Sequence, residues 1–318
     1  MTRPRYLALA CAVAFAAAGC QWFERRAING SIKDAFLEIN TPGVETTKLA
    51  DDLYTLKWFG YRTAFITTSE GVIVFDPLNA DASRQLAAAI RRVAPNPTVR
   101  YVIYSHAHAD HTEGARELGG TPIILAHERT AREIAERPEP EIVPPTETFS
   151  DETHDVTLGG VTVHLVHIPG AHGEGMIAAY IPHRRALYAV DFVVVKMIPP
   201  FGSPFNSYHG VLAALAKLQT FDYDTLIPGH GRVGTKQDVT AFATMLTDLA
   251  TAVRDASKKE GMWPTRGNPK ALADPKVGEV LFAATDALAP KYGEWQGWEH
   301  NSLQALQWVF LYGLYMNE

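Results

Sequence analysis

Val99-Arg100-Tyr101-Val102-Ile103-Tyr104-Ser105-His106-Ala107-His108-Ala109-Asp110-His111 is the stretch around which the rest of this chain is organised. Its first half reads as a buried strand, a short run of β-branched and aromatic residues. Its second half sets three imidazoles and one carboxylate within six residues. Side by side in a folded interior, such groups desolvate one another's partners unless something gathers them. A divalent cation does so, because neutral imidazole nitrogen and carboxylate oxygen are its usual ligands. His106 and His108, two apart on an extended segment, point to one side and can share one ion. Asp110 and His111 fall where the chain turns into the next helix, so they project differently, toward a second ion nearby. A solvated, histidine-rich loop is the alternative.

On either side the chain alternates between strand and helix signals. Leu53–Trp58, Thr63–Thr68 and Gly71–Asp76 read as an antiparallel meander, and residues 81–93 carry helical spacing that stops at Pro95-Asn96-Pro97. Pro122–Ala126 is a short buried strand and His127–Glu136 a helix. Val161–Val166 is again a strand, and Met176–Ile181 with Ala186–Val190 forms a hairpin. Residues 21–43 read as a tether with at most one short helix. Val211–Leu218 is an amphipathic helix, Thr225–Ile227 a strand, and helices over about 238–258, 270–289 and 301–316 fill the remainder.

With 318 residues, 47% of them hydrophobic, the chain can bury a large core. The formal charge of −6 offers no broad basic surface, so a nucleic-acid partner is not expected. At the N-terminus, Arg3 and Arg5 precede an apolar run from Tyr6 to Ala18, too short to span a bilayer and typical of a secretory signal. It ends Ala17-Ala18-Gly19-Cys20, which resembles the bacterial lipoprotein signal. That resemblance implies cleavage after residue 19, a lipid on Cys20, and a periplasm-facing protein anchored in the cell envelope, with Gln21 fitting outer-membrane sorting. The only other cysteine, Cys11, would be lost with the signal, leaving no internal disulfide.

Three more positions share one trait, a metal-capable residue just after a strand at a turn: His172, Asp191 and His230. Singly, a histidine after Pro-Gly is a turn residue and an aspartate after a strand is a helix cap. With the first motif they make seven candidate ligands, enough for two ions sharing one carboxylate. Two metals about 3.5–4 Å apart hold a bridging hydroxide and clamp an oxygen that gains charge.

His106-x-His108-x-Asp110-His111, followed in order by His172, Asp191 and His230, resembles the metallo-β-lactamase superfamily. The Gly71–Pro77 strand and the Pro228-Gly229-His230-Gly231 turn match its pattern as well. The resemblance covers residues 45–250, leaving 1–19 as signal peptide, 20–44 as tether and 251–318 as a C-terminal helical extension. It implies an α/β fold, a four-layer αββα sandwich with the site at one edge between its two sheets. It implies that His106, His108 and His172 bind a first zinc, and Asp110, His111 and His230 a second, with Asp191 bridging; iron or manganese would suit the same ligands. Asp110 would also orient the nucleophile and pass a proton to the leaving group. Where the family has its third histidine directly after Pro-Gly, Ala171 intervenes here, and His167 is the alternative ligand.

The implied activity is a di-zinc hydrolase that uses a metal-bridging hydroxide to cleave an ester, lactone, thioester or amide of a small molecule. Three alternatives stay open: a mononuclear-iron persulfide dioxygenase-like oxidoreductase, a true β-lactamase, and a non-catalytic zinc-binding lipoprotein. Tyr208 and His209 follow a Pro/Gly loop and can reach over the site, where a phenol would stabilise an oxyanion; as plain helix-start residues they would have no role. Phe201, Phe205 and Met197 would give that loop an apolar lining. Asp76, at a strand end, can hold the metal loop through backbone hydrogen bonds. The aromatic-rich segment from Trp295 to Tyr312 reads as a helix packed on the domain or on a second subunit in a homodimer.

Overall fold

A computed structural model describes residues 43–199, 207–262 and 276–310. The expected signal peptide, Cys20, nearly all of the expected tether, and Phe201 and Phe205 lie outside them. The described residues divide into a larger unit (43–196 and 207–243) and a smaller one (197–199, 244–262 and 276–310).

The larger unit holds two sheets. The first has seven strands in sequence order: β1 (Val44–Lys48), β2 (Leu53–Trp58), β3 (Tyr61–Thr68), β4 (Gly71–Phe75), β5 (Val99–Ile103), β6 (Ile123–His127) and β7 (Glu147–Phe149). β1 to β4 form the antiparallel meander, and β4 to β7 run parallel. The second sheet is ordered β12-β11-β10-β9-β8, from β8 (Thr153–Leu158), β9 (Val161–His167), β10 (Ile177–Ile181), β11 (Ala186–Ala189) and β12 (Thr225–Pro228). β9 and β11 each pair antiparallel with β10, and β12 pairs parallel with β11, so β9, β11 and β12 end on the same side.

Period-two alternation sorts the strand side chains between two cores. Ile66, Ile73, Phe75, Ile103 and Leu125 of the first sheet meet Leu165, Ile177, Tyr188 and Ile227 of the second. Their neighbours Phe65, Val72, Val74, Val102 and Ile124 point the other way, against Leu86, Ala89 and Ile90 of helix α1 (Ala80–Val93). α1 starts where the Asn79 side chain accepts from the Ala82 amide (2.9 Å), carries Asp81 in its first turn and ends on Arg91 and Arg92, charges suited to its dipole. A short turn, α2 (Ala109–Thr112), and α3 (Glu128–Glu136) follow β5 and β6. α4 (Tyr208–Gln219) buries Val211, Ala214, Leu215 and Leu218; just beyond it Phe221 meets the Tyr180 ring on the outer face of β10. This is the expected α/β sandwich.

α5 (Lys236–Lys259) starts in the larger unit, and from Thr244 on it belongs to the smaller one with α6 (Lys276–Tyr292) and α7 (Trp298–Trp308). There Asp248 takes Lys291 and Tyr292 as partners, and Tyr292 packs against Trp295 and Trp298. Met197 is buried, in a bridge with Gln296. Among the described residues no helix is long and apolar enough to cross a membrane.

Candidate metal centre

Every candidate ligand sits in a loop at the C-terminal end of a strand, which in open α/β sheets is where sites form. The loop after β5 carries His106 and His108 and runs into α2, which carries Asp110 and His111. The His111 amide and the Thr112 hydroxyl both bond the His108 carbonyl (3.1 and 2.9 Å), closing this turn on itself. The loop after β4 braces it: Leu78 N–H donates to the His111 carbonyl, and Gly114 N–H to the Leu78 carbonyl. Gly114 has no room for a Cβ, which would stand 2.6 Å from the Ser83 side chain.

Asp76 ties strand to loop. Fully buried, it accepts the Ser105 amide at 2.7 Å and the Tyr188 hydroxyl at 2.9 Å. Its φ of 38° and the 66° of Asp191 are unusual for residues other than glycine, and such conformations gather at functional sites.

The other loops converge on this one. The turn after β9 delivers His172, with Gly170 at φ 77° and packed against Gly210. Asp191 follows β11 and His230 follows β12. Gly229 lets these two loops touch, since a Cβ there would meet Val190 at 2.4 Å and Asp191 and His111 at 3.1 Å.

The result is two groups of side chains, His106/His108/His172/Asp191 and Asp110/His111/His230, each with its ligand atoms within 4.8 Å of one another. Asp191 faces both. Its Oδ2 lies 3.3 Å from His106 Nε2 and 3.4 Å from His172 Nε2. Its Oδ1 lies 2.9 Å from His230 Nε2 and 3.4 Å from His111 Nε2. His108 Nδ1 and His172 Nε2 are 3.1 Å apart, and the Nε2 atoms of His111 and His230 3.3 Å. Tetrahedral ligands about 2.0–2.1 Å from one cation stand roughly 3.3–3.4 Å from each other, so this spacing fits a shared ion. His106 Nε2 and Asp191 Oδ1 are buried and make no well-aligned hydrogen bond, as lone pairs reserved for a cation would. The donor set fits a divalent metal.

The electrostatics agree. Burial pushes the His106 and His108 imidazoles down, and for His108 the neighbouring His106 and His172 add to it, so these rings stay neutral and able to ligate. Burial opposes the charge on Asp191 too, but His111 and His230 outweigh it and hold the carboxyl well below its ordinary value. Burial would also lower His111; Asp191 and Asp110 win, and its pKa rises to about 10. Without metal, this cluster draws in positive charge as protons.

A family model described as the metallo-beta-lactamase superfamily matches residues 57–230, the stretch that carries all seven candidate ligands. The chain belongs to that superfamily. The alpha subunit of 2,4-dinitroanisole O-demethylase from Nocardioides sp. (strain JS1661) is 31% identical over 195 residues, 59% of this chain and 58% of that one. The linear primary-alkylsulfatase of Pseudomonas sp. (strain ATCC 19151) is 24% identical over 281 residues, 72% of this chain and 52% of that one. The chain thus spans little more than half the length of these curated relatives. Among solved structures, a metallo-beta-lactamase from Pontibacter korlensis shares the fold at a TM-score of 0.57 and 19% identity, over 64% of this chain and 99% of its own.

Within this superfamily fold, His172 joins the first candidate group despite Ala171, which is fully buried. His167 does not: its ring stacks on His127 at 4.0 Å and its Nε2 bonds the Glu174 carbonyl. His127 caps α3, His164 pairs with Asp155, and His183 with Asp52. His154 is half-buried against the Phe149 ring. Tyr208 is buried and His209 exposed at the start of α4, beside the turn that carries His172.

The sequence reading missed Tyr61. Its ring lies 4.8 Å from that of His230 and 6.0 Å from that of His111, and its hydroxyl is close enough to Asp110 for that carboxylate to act on it. Burial, then the carboxylates Asp110 and Asp191, push the phenol's pKa far up, so it remains a donor. An aromatic turn, Trp58-Phe59-Gly60-Tyr61, was the available signal.

Proposed function

We propose that this protein is a di-zinc hydrolase that adds water across an ester, lactone, thioester or amide of a small molecule. The observation that carries the reading is the division of Asp191, one oxygen facing each histidine group at 2.9–3.4 Å. His106, His108 and His172 would hold one ion and Asp110, His111 and His230 the other, with Asp191 shared. When bound, the pair would bring the pKa of a water in the site toward neutrality and offset negative charge gathering on a carbonyl oxygen. Asp110 is the most accessible member of its group, with 41% of its side chain accessible while His111 is wholly buried. From there it can take the proton of the attacking water and return it to the leaving group. Asp76 and Ser105 fix the loop on which the first histidines ride, so little reorganisation accompanies the reaction.

The names of the two curated relatives favour a second reading of the substrate, in which the bond broken belongs to an aryl methyl ether or an alkyl sulfate. One experiment addresses both. The purified protein is analysed for metal, then assayed before and after chelation on a lactone, a thioester, a p-nitrophenyl ester, a chromogenic cephalosporin, an alkyl sulfate and 2,4-dinitroanisole. About two metal equivalents with chelator-sensitive turnover are expected. Less than one equivalent and no metal-dependent turnover would refute the proposal. In the same reading Cys20 carries a lipid that holds the enzyme at the bacterial envelope, facing the periplasm. Labelled palmitate should then enter the wild type and not Cys20→Ser.

A further inference from the structure

Tyr61 opens β3, directly after the turn at Phe59 and Gly60. Three hydrogen bonds clamp this hairpin end onto the loop of His230. Two of them make an isolated antiparallel bridge between Tyr61 and His230, and in the first of these Arg62 N–H donates to the Gly229 carbonyl at 2.7 Å. Gly231 N–H donates to the Gly60 carbonyl at 3.0 Å, and Arg62 Nε to the Gly231 carbonyl at 3.0 Å. The backbone of Tyr61 is therefore locked to the loop that presents one candidate ligand. Its ring lies over that ligand's imidazole and reaches the edge of a second, His111. Its hydroxyl reaches the third, Asp110. One side chain thus touches all three members of the second group.

Asp110 needs such a partner more than its neighbours do. It stands in a four-residue turn, half-buried, and its approach to His111 is 3.7 Å. A free carboxylate there samples several rotamers, whereas a ligand and proton carrier needs one. A phenol is a donor at neutral pH and occupies one carboxylate oxygen, leaving the other for a cation. Partners of this kind orient ligating carboxylates, and their loss typically lowers metal affinity about 10–100-fold.

We propose that Tyr61 is a positioning residue for the second cation, its hydroxyl aiming Asp110 and its ring seating His230. This rests on the two-cation reading above. Tyr61→Phe keeps the ring and deletes only the hydroxyl. Chelator-treated wild type and variant are titrated with Co2+, and the two stepwise dissociation constants are read from the visible absorption bands. Tyr61→Phe should weaken the second constant about tenfold or more and leave the first unchanged, the unchanged first constant showing that the fold is intact. Tyr61→Ala, which also removes the ring from His230, should weaken the second constant further. If wild type takes up two ions and Tyr61→Phe matches both constants within twofold, the assignment of Tyr61 is overturned while the two-cation reading stands. If wild type takes up only one, the two-cation reading falls and this proposal falls with it.

Discussion

Replacing Asp76 by alanine tests how the metal-bearing loop is held. The carboxylate is wholly enclosed and accepts two buried donors, the Ser105 amide at 2.7 Å and the Tyr188 hydroxyl at 2.9 Å. Its removal strands both. A buried donor without a partner costs about 1–3 kcal/mol, so the pair costs about 2–6 kcal/mol. Burial raises the pKa of Asp76, against the pull of His111 and His106, so deleting the carboxylate also relieves an unfavourable desolvation. The net loss is therefore placed in the lower half, about 2–4 kcal/mol, against a total stability of about 5–15 kcal/mol for an ordinary domain. Asp76→Asn keeps an acceptor for Ser105 and should lose only about 1 kcal/mol. Urea unfolding in the presence of chelator, with ΔG taken from midpoint and slope, measures both variants free of metal linkage. A loss below about 1 kcal/mol for the alanine variant, or equal losses for the two, would refute the claim that these hydrogen bonds hold the loop.

Gly210→Ala would set a Cβ 2.0 Å from the Gly170 carbonyl oxygen, a backbone atom that cannot swing aside, so α4 or the His172 turn must shift. A loss of about 1–3 kcal/mol by denaturation and weaker binding of the first cation are expected. Asp191→Ala should leave less than one metal equivalent by elemental analysis, because both groups lose their shared carboxylate, whereas Asp110→Ala should retain the first ion. Zinc added to chelated protein at 100 times its Kd should stabilise the fold by about 2.7 kcal/mol per site, read as a rise in Tm. Away from the centre, burial would raise the Asp52 carboxyl, but its bonds to Arg184 and His183 outweigh that and lower its pKa. The stabilisation is thus present above the ordinary value near ~3.9 and fades as pH falls through the folded value. Asp52→Asn should cost about 0.5–1 kcal/mol at pH 7, a cost that shrinks as pH falls below ~3.9 and in high salt.

The buried strands, the helices between them and the candidate ligand set were all legible in the sequence. Central strands such as β3 and β4 are buried along nearly their whole length, so β4 reads as an unbroken apolar run and β3 as a mostly β-branched and aromatic one broken by Arg62. Metal ligands are legible for a different reason: only a few side chains can do that chemistry, and here they recur after strands. The three strands the sequence did not reveal, β1, β7 and β8, are all edge strands. An edge is half solvated, and segments such as Val44–Lys48 and Thr153–Leu158 expose polar side chains to water instead of repeating an apolar pattern. Their place is set by backbone pairing with a neighbour, to which local composition is nearly blind. Tertiary structure alone decided the rest. It chose His172 over His167, turned the two oxygens of Asp191 to opposite groups, and brought Tyr61 onto Asp110 and His230, residues far apart in the chain. A sequence specifies which atoms can bind a cation. Which of them meet, and at what angle, follows only once the strand ends are aligned.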